Sequence, residues 1–194
     1  MVSRVRVKLM ELFFTQPEEL FYVREITRLI KEEINAVRRE LDKMLRCGLL
    51  KSEERGNRLY YFLNRRYLFY SELQRMVAKT TGLGAQLRRL RRKLGKIDFI
   101  MFSGGFVEGK KPSPDEVEVL VVGEVVLSEL QAIMRQEEKK RGREINYSVL
   151  DTNEFEFRKT RRDPFVMDIL YGTRVMVIGS ELDFTHRQIE GLQT

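Results

Sequence analysis

The chain has 194 residues, 34% of them Asp, Glu, Lys or Arg, and a formal net charge of +7. No apolar run approaches the roughly 20 residues that span a bilayer, and the basic N-terminus has no small-residue cleavage site of the signal-peptide kind. One cysteine, Cys47, and one histidine, His186, exclude an internal disulfide and a zinc site made from that pair alone. The expectation is a protein of the reducing cytoplasm with no membrane partner. Its charge is divided, with 22 Lys/Arg against 11 Asp/Glu in residues 1–95, and 14 against 18 in residues 96–194. A basic half joined to an acidic half predicts two domains with different partners, and the basic half points to nucleic acid.

In chain order, residues 3–14 place Val5, Leu9, Leu12 and Phe13 on one helical face, with Ser3 as a cap. Phe21-Tyr22 is a short extended piece. A second helix covers 23–30 through Val23, Ile26 and Ile30. A third runs from about Glu32 to Arg46 on an apolar stripe of Ile34, Val37, Leu41 and Leu45, with Met44 beside it, and Gly48 ends it. Two β-prone runs, 49–53 and 59–63, flank the basic turn Arg55-Gly56-Asn57-Arg58, which predicts a hairpin.

Three helices and then a basic hairpin is the order of a winged helix-turn-helix. The stretch INAVRRELDKMLRCGLLKSEERGNRLYYFLN resembles the DNA-binding domain of the arsenic-repressor-like family of bacterial and archaeal regulators. With the stripe inward, a rotation of about 100° per residue points Asn35, Arg39, Lys43 and Arg46 to solvent, with Arg38 on the flank. Asn can pair bidentately with adenine and Arg with guanine in the major groove. Arg55, Asn57 and Arg58 at the hairpin tip, and Arg24 at the start of the second helix, complete the candidate double-stranded DNA interface. The bland alternative is that Arg38, Arg39 and Lys43 only pair with acidic neighbours such as Asp42. A winged helix that binds protein is the other.

Residues 67–94 read as one long helix, or two joined near Thr81-Gly82. Leu68, Leu73, Met76, Val77, Leu83, Leu87, Leu90 and Leu94 predict an apolar seam, a natural surface for a twofold homodimer. The run RRLRRK (88–93) is a solvated face, a contact to DNA, or a contact to the acidic half.

In the acidic half, strands are predicted at 97–102, 117–122, 145–150 and 174–179. Helices are predicted at about 127–141, 152–161 and 164–171. This arrangement resembles the nucleotidyltransferase superfamily, in particular its minimal prokaryotic members, in which Gly-Ser ends a strand and Asp-x-Asp opens the next. The resemblance implies a glycine turn that lets backbone amides approach a triphosphate, and paired carboxylates that hold Mg²⁺ against it. Here Gly104-Gly105 stands for Gly-Ser, Glu116-x-Glu118 for Asp-x-Asp, and Asn146 for a third carboxylate. Mg²⁺ demands near-ideal geometry at about 2.0–2.1 Å, and each Glu arm is one methylene longer than Asp. The expectation is a nucleotidyltransferase-like frame that has lost catalysis, with no resident metal or cofactor; Gly104, Gly105, Glu116 and Glu118 are the candidate nucleotide-binding residues, and a purely structural or dimerising domain is the other reading.

The fold expected is α+β: a winged helix-turn-helix at 1–66, a helical connector at 67–95, and a nucleotidyltransferase-like α/β domain with a small mixed sheet at 96–194. The function implied is sequence-specific regulation of transcription by a homodimer, with the second domain serving dimerisation or sensing a nucleotide or other small-molecule effector, and no enzyme activity. The alternative is a Mg²⁺-dependent nucleotidyltransferase, antitoxin-like, that transfers a nucleotide to a protein or small molecule.

Overall fold

The computed structural model describes residues 3–113 and 115–186. The fold is α+β, with helices and two sheets of three and four strands. The chain divides into two compact units, residues 1–77 and 78–194.

In the first unit, α1 (Arg4–Thr15), β1 (Phe21–Tyr22), α2 (Val23–Ile30) and α3 (Ile34–Arg46) precede the hairpin β2 (Leu50–Arg55) and β3 (Arg58–Leu63). β3 lies between β1 and β2, and both pairings are antiparallel. The core is built from the inner faces of all three helices, with Leu9, Phe13, Ile26, Val37 and Leu41 fully buried. Burial of each such side chain stabilises the unit by about 1.5–3 kcal/mol. Ser3 stands at the N-cap of α1 but makes no side-chain capping bond. α3 starts at Ile34, the first residue of its apolar stripe and two residues after the expected start, because Glu33 is its cap, accepting from the amides of Asn35 and Ala36 at 2.8 Å. At the other end Gly48, with φ +79, turns the chain, and Asn64 donates to its carbonyl at 2.8 Å. That bond ties the base of the hairpin to the end of α3.

The inner stripe of α3 holds a surprise. Ile34 is only half-buried, whereas Glu40 is buried beside Val37, Leu41 and Met44. Glu40 accepts from Arg6 at 2.7 Å and from Lys43 at 3.0 Å. Burial alone would raise its pKa, but the two cationic donors outweigh burial and hold the carboxyl below the ordinary value of 4.5. A carboxylate depressed in the folded state adds stability above its unfolded value and loses it as the pH falls through the folded value. Glu40→Gln is therefore expected to lower stability by about 1–3 kcal/mol at pH 7. The difference from the parent should shrink below pH 4.5. Urea titrations at pH 7 and at acid pH check both parts.

The second unit contains α5 (Gly82–Arg89), α6 (Arg91–Leu94), β4 (Gly95–Ser103), α7 (Gly104–Val107), β5 (Val119–Val125), α8 (Leu127–Arg141), β6 (Tyr147–Leu150), α9 (Thr152–Thr160), α10 (Pro164–Tyr171), β7 (Arg174–Ile178) and α11 (Glu181–Thr185). Its sheet runs β6-β5-β4-β7, with β5 and β6 parallel and the other pairs antiparallel. Alternate residues feed two cores. Ile100, Phe102, Val119 and Val121 pack with Leu87, Leu130 and Ile133, whereas Phe99, Met101, Leu120 and Val122 pack with Phe155, Val166 and Phe184. A sheet covered on both faces explains why FIMF and VLVV are unbroken apolar runs. Ile97 lies on the same face as Ile100, three residues away, because a bulge between Ile97 and Phe99 shifts the alternation.

The helix α4 (Tyr70–Thr80) carries the boundary between the units. The residues expected to form one continuous seam do not do so. Val77 is buried and Leu73 partly buried in the core of the first unit, whereas Leu83, Leu87 and Leu94 are buried in the second. Leu68 and Met76 stay 81% and 51% exposed. Two intramolecular cores use most of the leucines that the pattern assigned to a partner. Among the described residues, no helix is long and apolar enough to cross a membrane.

Candidate functional site

The outer face of α3 carries Asn35, Arg38, Arg39, Asp42, Lys43 and Arg46, all exposed. They differ in what they touch. Arg46 pairs with Asp42 at 2.8 Å, and Lys43 with Glu40 at 3.0 Å. The pairing with acidic neighbours weighed as the bland alternative thus holds for Lys43, and Arg46 is paired as well. Arg38 and Arg39 form no ion pair or hydrogen bond with any described residue. Their charges are felt at Glu33, whose carboxyl is held below its usual range first by the Asn35 and Ala36 amides and further by Arg39 and Arg38. The N-terminus of α3 is thereby closed by a side-chain anion.

The hairpin supplies a second group. Arg55 and Arg58 are opposite one another in the β2–β3 register, either side of the Gly56-Asn57 turn. Arg55 pairs with Glu53, and its guanidinium lies 5.9 Å from the Tyr60 ring centre. Arg58 stacks over Tyr22 at 4.7 Å. The Tyr22 hydroxyl accepts from Arg28 at 3.2 Å, and its ring meets Tyr60 edge to face at 5.7 Å. One tyrosine therefore organises arginines from two elements. Between α2 and the hairpin tip lies a groove of about 780 Å³, lined by Arg24, Thr27, Arg28, Ile34, Asn57 and Arg58 among others. The groove brings Arg24 together with Asn57 and Arg58, and it explains why Ile34 is not in the core. Sequence reasoning overlooked Tyr22, Thr27 and Arg28. The signal was the spacing of Arg24 and Arg28, which puts them on one helical face next to Thr27.

The glycine-glutamate constellation of the second unit has a different character. Glu116 and Glu118 precede β5, so the expectation of two carboxylates side by side on a regular strand is not met. Glu116 accepts from the Ser103 hydroxyl at 3.0 Å and from the Ser113 amide at 3.3 Å. Its Oε1 lies 2.7 Å from where a Gly105 Cβ would be, and the Thr173 Oγ1 lies 2.0 Å from a Cβ on Gly104. Gly104 is required by the approach of Thr173, whose Cβ and carbonyl also lie within 2.9 and 3.2 Å of that position, whereas at Gly105 only the end of the Glu116 side chain would have to move. The space beside Gly105 is taken by the Glu116 carboxylate. A hydroxyl is present after all, one residue before the glycines, where Ser103 also caps α7 by accepting from the Phe106 amide at 3.1 Å.

Glu118 is fully buried. Its carboxylate receives two hydrogen bonds from Arg143, at 2.6 and 2.9 Å, and one from the Asn146 amide at 3.1 Å. The hydrogen bond to Glu118 raises the already high affinity of Arg143 for its proton. Asn146 thus serves through its backbone, and its carbonyl also accepts from the Glu118 amide at 2.8 Å. Among the described residues, no three His, Cys, Asp or Glu side chains gather as a metal site would require. Cys47, expected on a flank of α3, is exposed, with its thiol directed to the Met44 carbonyl at 3.4 Å.

Compared with family models, with curated proteins and with solved structures, the chain gives no significant match in any of the three.

Proposed function

We propose that the protein is a DNA-binding protein, and that it reads duplex sequence with α3 while the β2–β3 hairpin holds the backbone. The observation that carries this reading is the pair Arg38 and Arg39, which stand on the outer face of α3 without an internal partner. Cations left uncommitted in a chain that pairs Lys43, Arg46 and Arg55 internally are available to phosphates and base edges. The groove lined by Arg24, Arg28 and Arg58 supports phosphate contacts beside the helix.

In particular, the reading is of a transcriptional regulator with a winged helix-turn-helix in residues 1–66 and a nucleotidyltransferase-like domain in residues 96–194. It acts as a homodimer, and the second domain serves assembly or effector binding without catalysis. The lack of transfer chemistry is supported by Glu118, whose carboxylate is neutralised by Arg143 instead of facing open space. The experiment is selection of bound fragments from the source organism's genomic DNA. Enrichment of one sequence is expected, and recovery of fragments without common sequence overturns sequence-specific reading. Incubation with a labelled nucleoside triphosphate, Mg²⁺ and candidate acceptors is expected to yield no transfer, and labelled acceptor would restore the enzymatic alternative.

A further inference from the structure

Residues 73–97 contain eight Lys or Arg and no Asp or Glu. All of the eight except Arg75 belong to the second unit, which is otherwise the acidic part of the chain. None of the seven forms an ion pair with a described residue, whereas Arg141, Arg143, Arg158, Lys159 and Arg174 of the same unit all do. The basic run is therefore not spent on the acidic half of its own chain.

Part of this charge is built into a cleft. β7 has β4 on one side and, among the described residues, no strand on the other. Along that outer edge, Lys79, Arg88 and Arg91 line a cleft of about 410 Å³ whose floor is Met176–Gly179. Among the described residues, no carboxylate lines it. Arg91 is fixed there by donating to the Ile97 carbonyl at 2.7 Å.

The chemistry of the lining selects the partner. An amphipathic helix that lies in a membrane surface sets an exposed apolar face beside its cations. Here Leu83, Leu87 and Leu94 are buried in the core of the unit. A protein interface takes its affinity from aromatic or aliphatic anchors. The apolar residues of the cleft, Met176, Val177 and Ile178, are themselves buried. What remains for a ligand is ammonium and guanidinium groups, and guanidinium matches phosphate oxygens two at a time. The exposed Arg89, Arg92, Lys93 and Lys96 extend the positive field well past what one small phosphate would use.

We propose that the end of α4 at Lys79, α5, α6 and the outer edge of β7 form a second phosphate-binding surface, one that takes the backbone of duplex DNA independently of α3. The identity of the nucleic acid rests on the function proposed above. The test is the salt dependence of binding by the full chain to a duplex, comparing the parent, Lys79→Gln/Arg88→Gln and Arg38→Ala/Arg39→Ala. Loss of two phosphate contacts lowers the slope of log K against log salt by about 1.8, which at 0.1 M salt is roughly 60-fold weaker binding relative to a 1 M intercept. Arg135→Gln/Lys139→Gln removes the same charge from exposed positions of α8 and is expected to leave the slope unchanged. An equal loss in that control would overturn the proposal, because net charge would then explain the effect. An unchanged slope in Lys79→Gln/Arg88→Gln, with a folded protein by thermal melt, overturns it while leaving α3 as the reader. The reverse pattern, a lowered slope there and full binding by Arg38→Ala/Arg39→Ala, overturns the α3 reading and leaves the second surface. Binding of the parent to anionic vesicles but not to duplex DNA sinks both.

Discussion

Arg143→Ala is expected to destabilise the second unit by about 3–5 kcal/mol, the range for removing one partner of a buried ion pair. The reason lies in the asymmetry of the pair. The Glu118 side chain is 1% exposed and that of Arg143 is 30% exposed. Without the guanidinium, a carboxylate is left in the interior with the Asn146 amide as its remaining donor. Without the carboxylate, the guanidinium can still turn toward water. Glu118→Gln is therefore expected to cost less than Arg143→Ala, and Glu118→Gln/Arg143→Met less than Arg143→Ala alone, because neither charge is then stranded. Urea midpoints for the three variants at neutral pH check the order. Arg143→Ala within about 1 kcal/mol of the parent would show that the pair does not hold the unit together, and would reopen Glu118 as a group free for ligand chemistry.

The same pair shows where sequence reading stops. Local chemistry was legible. The helix predicted at 127–141 coincides with α8, because apolar positions Leu130, Ile133, Met134 run at helical spacing and Gly142, with φ +68, ends it. The helix predicted at 164–171 coincides with α10, where Pro164 opens it and the Asp163 side chain caps it. What could not be read was set by distant partners. A glutamate at the position of Glu40 reads as solvent-facing unless Arg6, on another helix, is known to reach it. Glu118 reads as a candidate metal ligand until Arg143, 25 residues further on, is seen to neutralise it. The leucines between 68 and 94 have one period but serve two cores, and periodicity carries no record of which body a side chain enters. The glycine pair was legible as a close approach, but what approaches is Glu116 and Thr173.

Arg38→Ala/Arg39→Ala is expected to abolish retardation of a selected DNA fragment at concentrations where the parent shifts it fully. A bidentate contact from arginine to a base contributes about 1–3 kcal/mol, so loss of both side chains weakens binding by roughly 30-fold or more. These two positions give a cleaner test than their neighbours. Lys43→Ala would strip a donor from the buried Glu40, and Arg46→Ala would release Asp42, so either change perturbs α3 itself. Arg38 and Arg39 are exposed and have no internal partner, so their removal should leave stability within about 0.5 kcal/mol of the parent. The two substitutions also separate by mechanism. A residue that reads a base edge, once truncated, relaxes preference at one position of the bound sequence, whereas a residue on phosphate weakens all sequences alike and lowers the salt slope by about 0.9. Selection repeated with each single variant assigns the roles. Undiminished retardation by the folded double variant would place recognition elsewhere on the chain and remove the observation on which the DNA-binding reading stands.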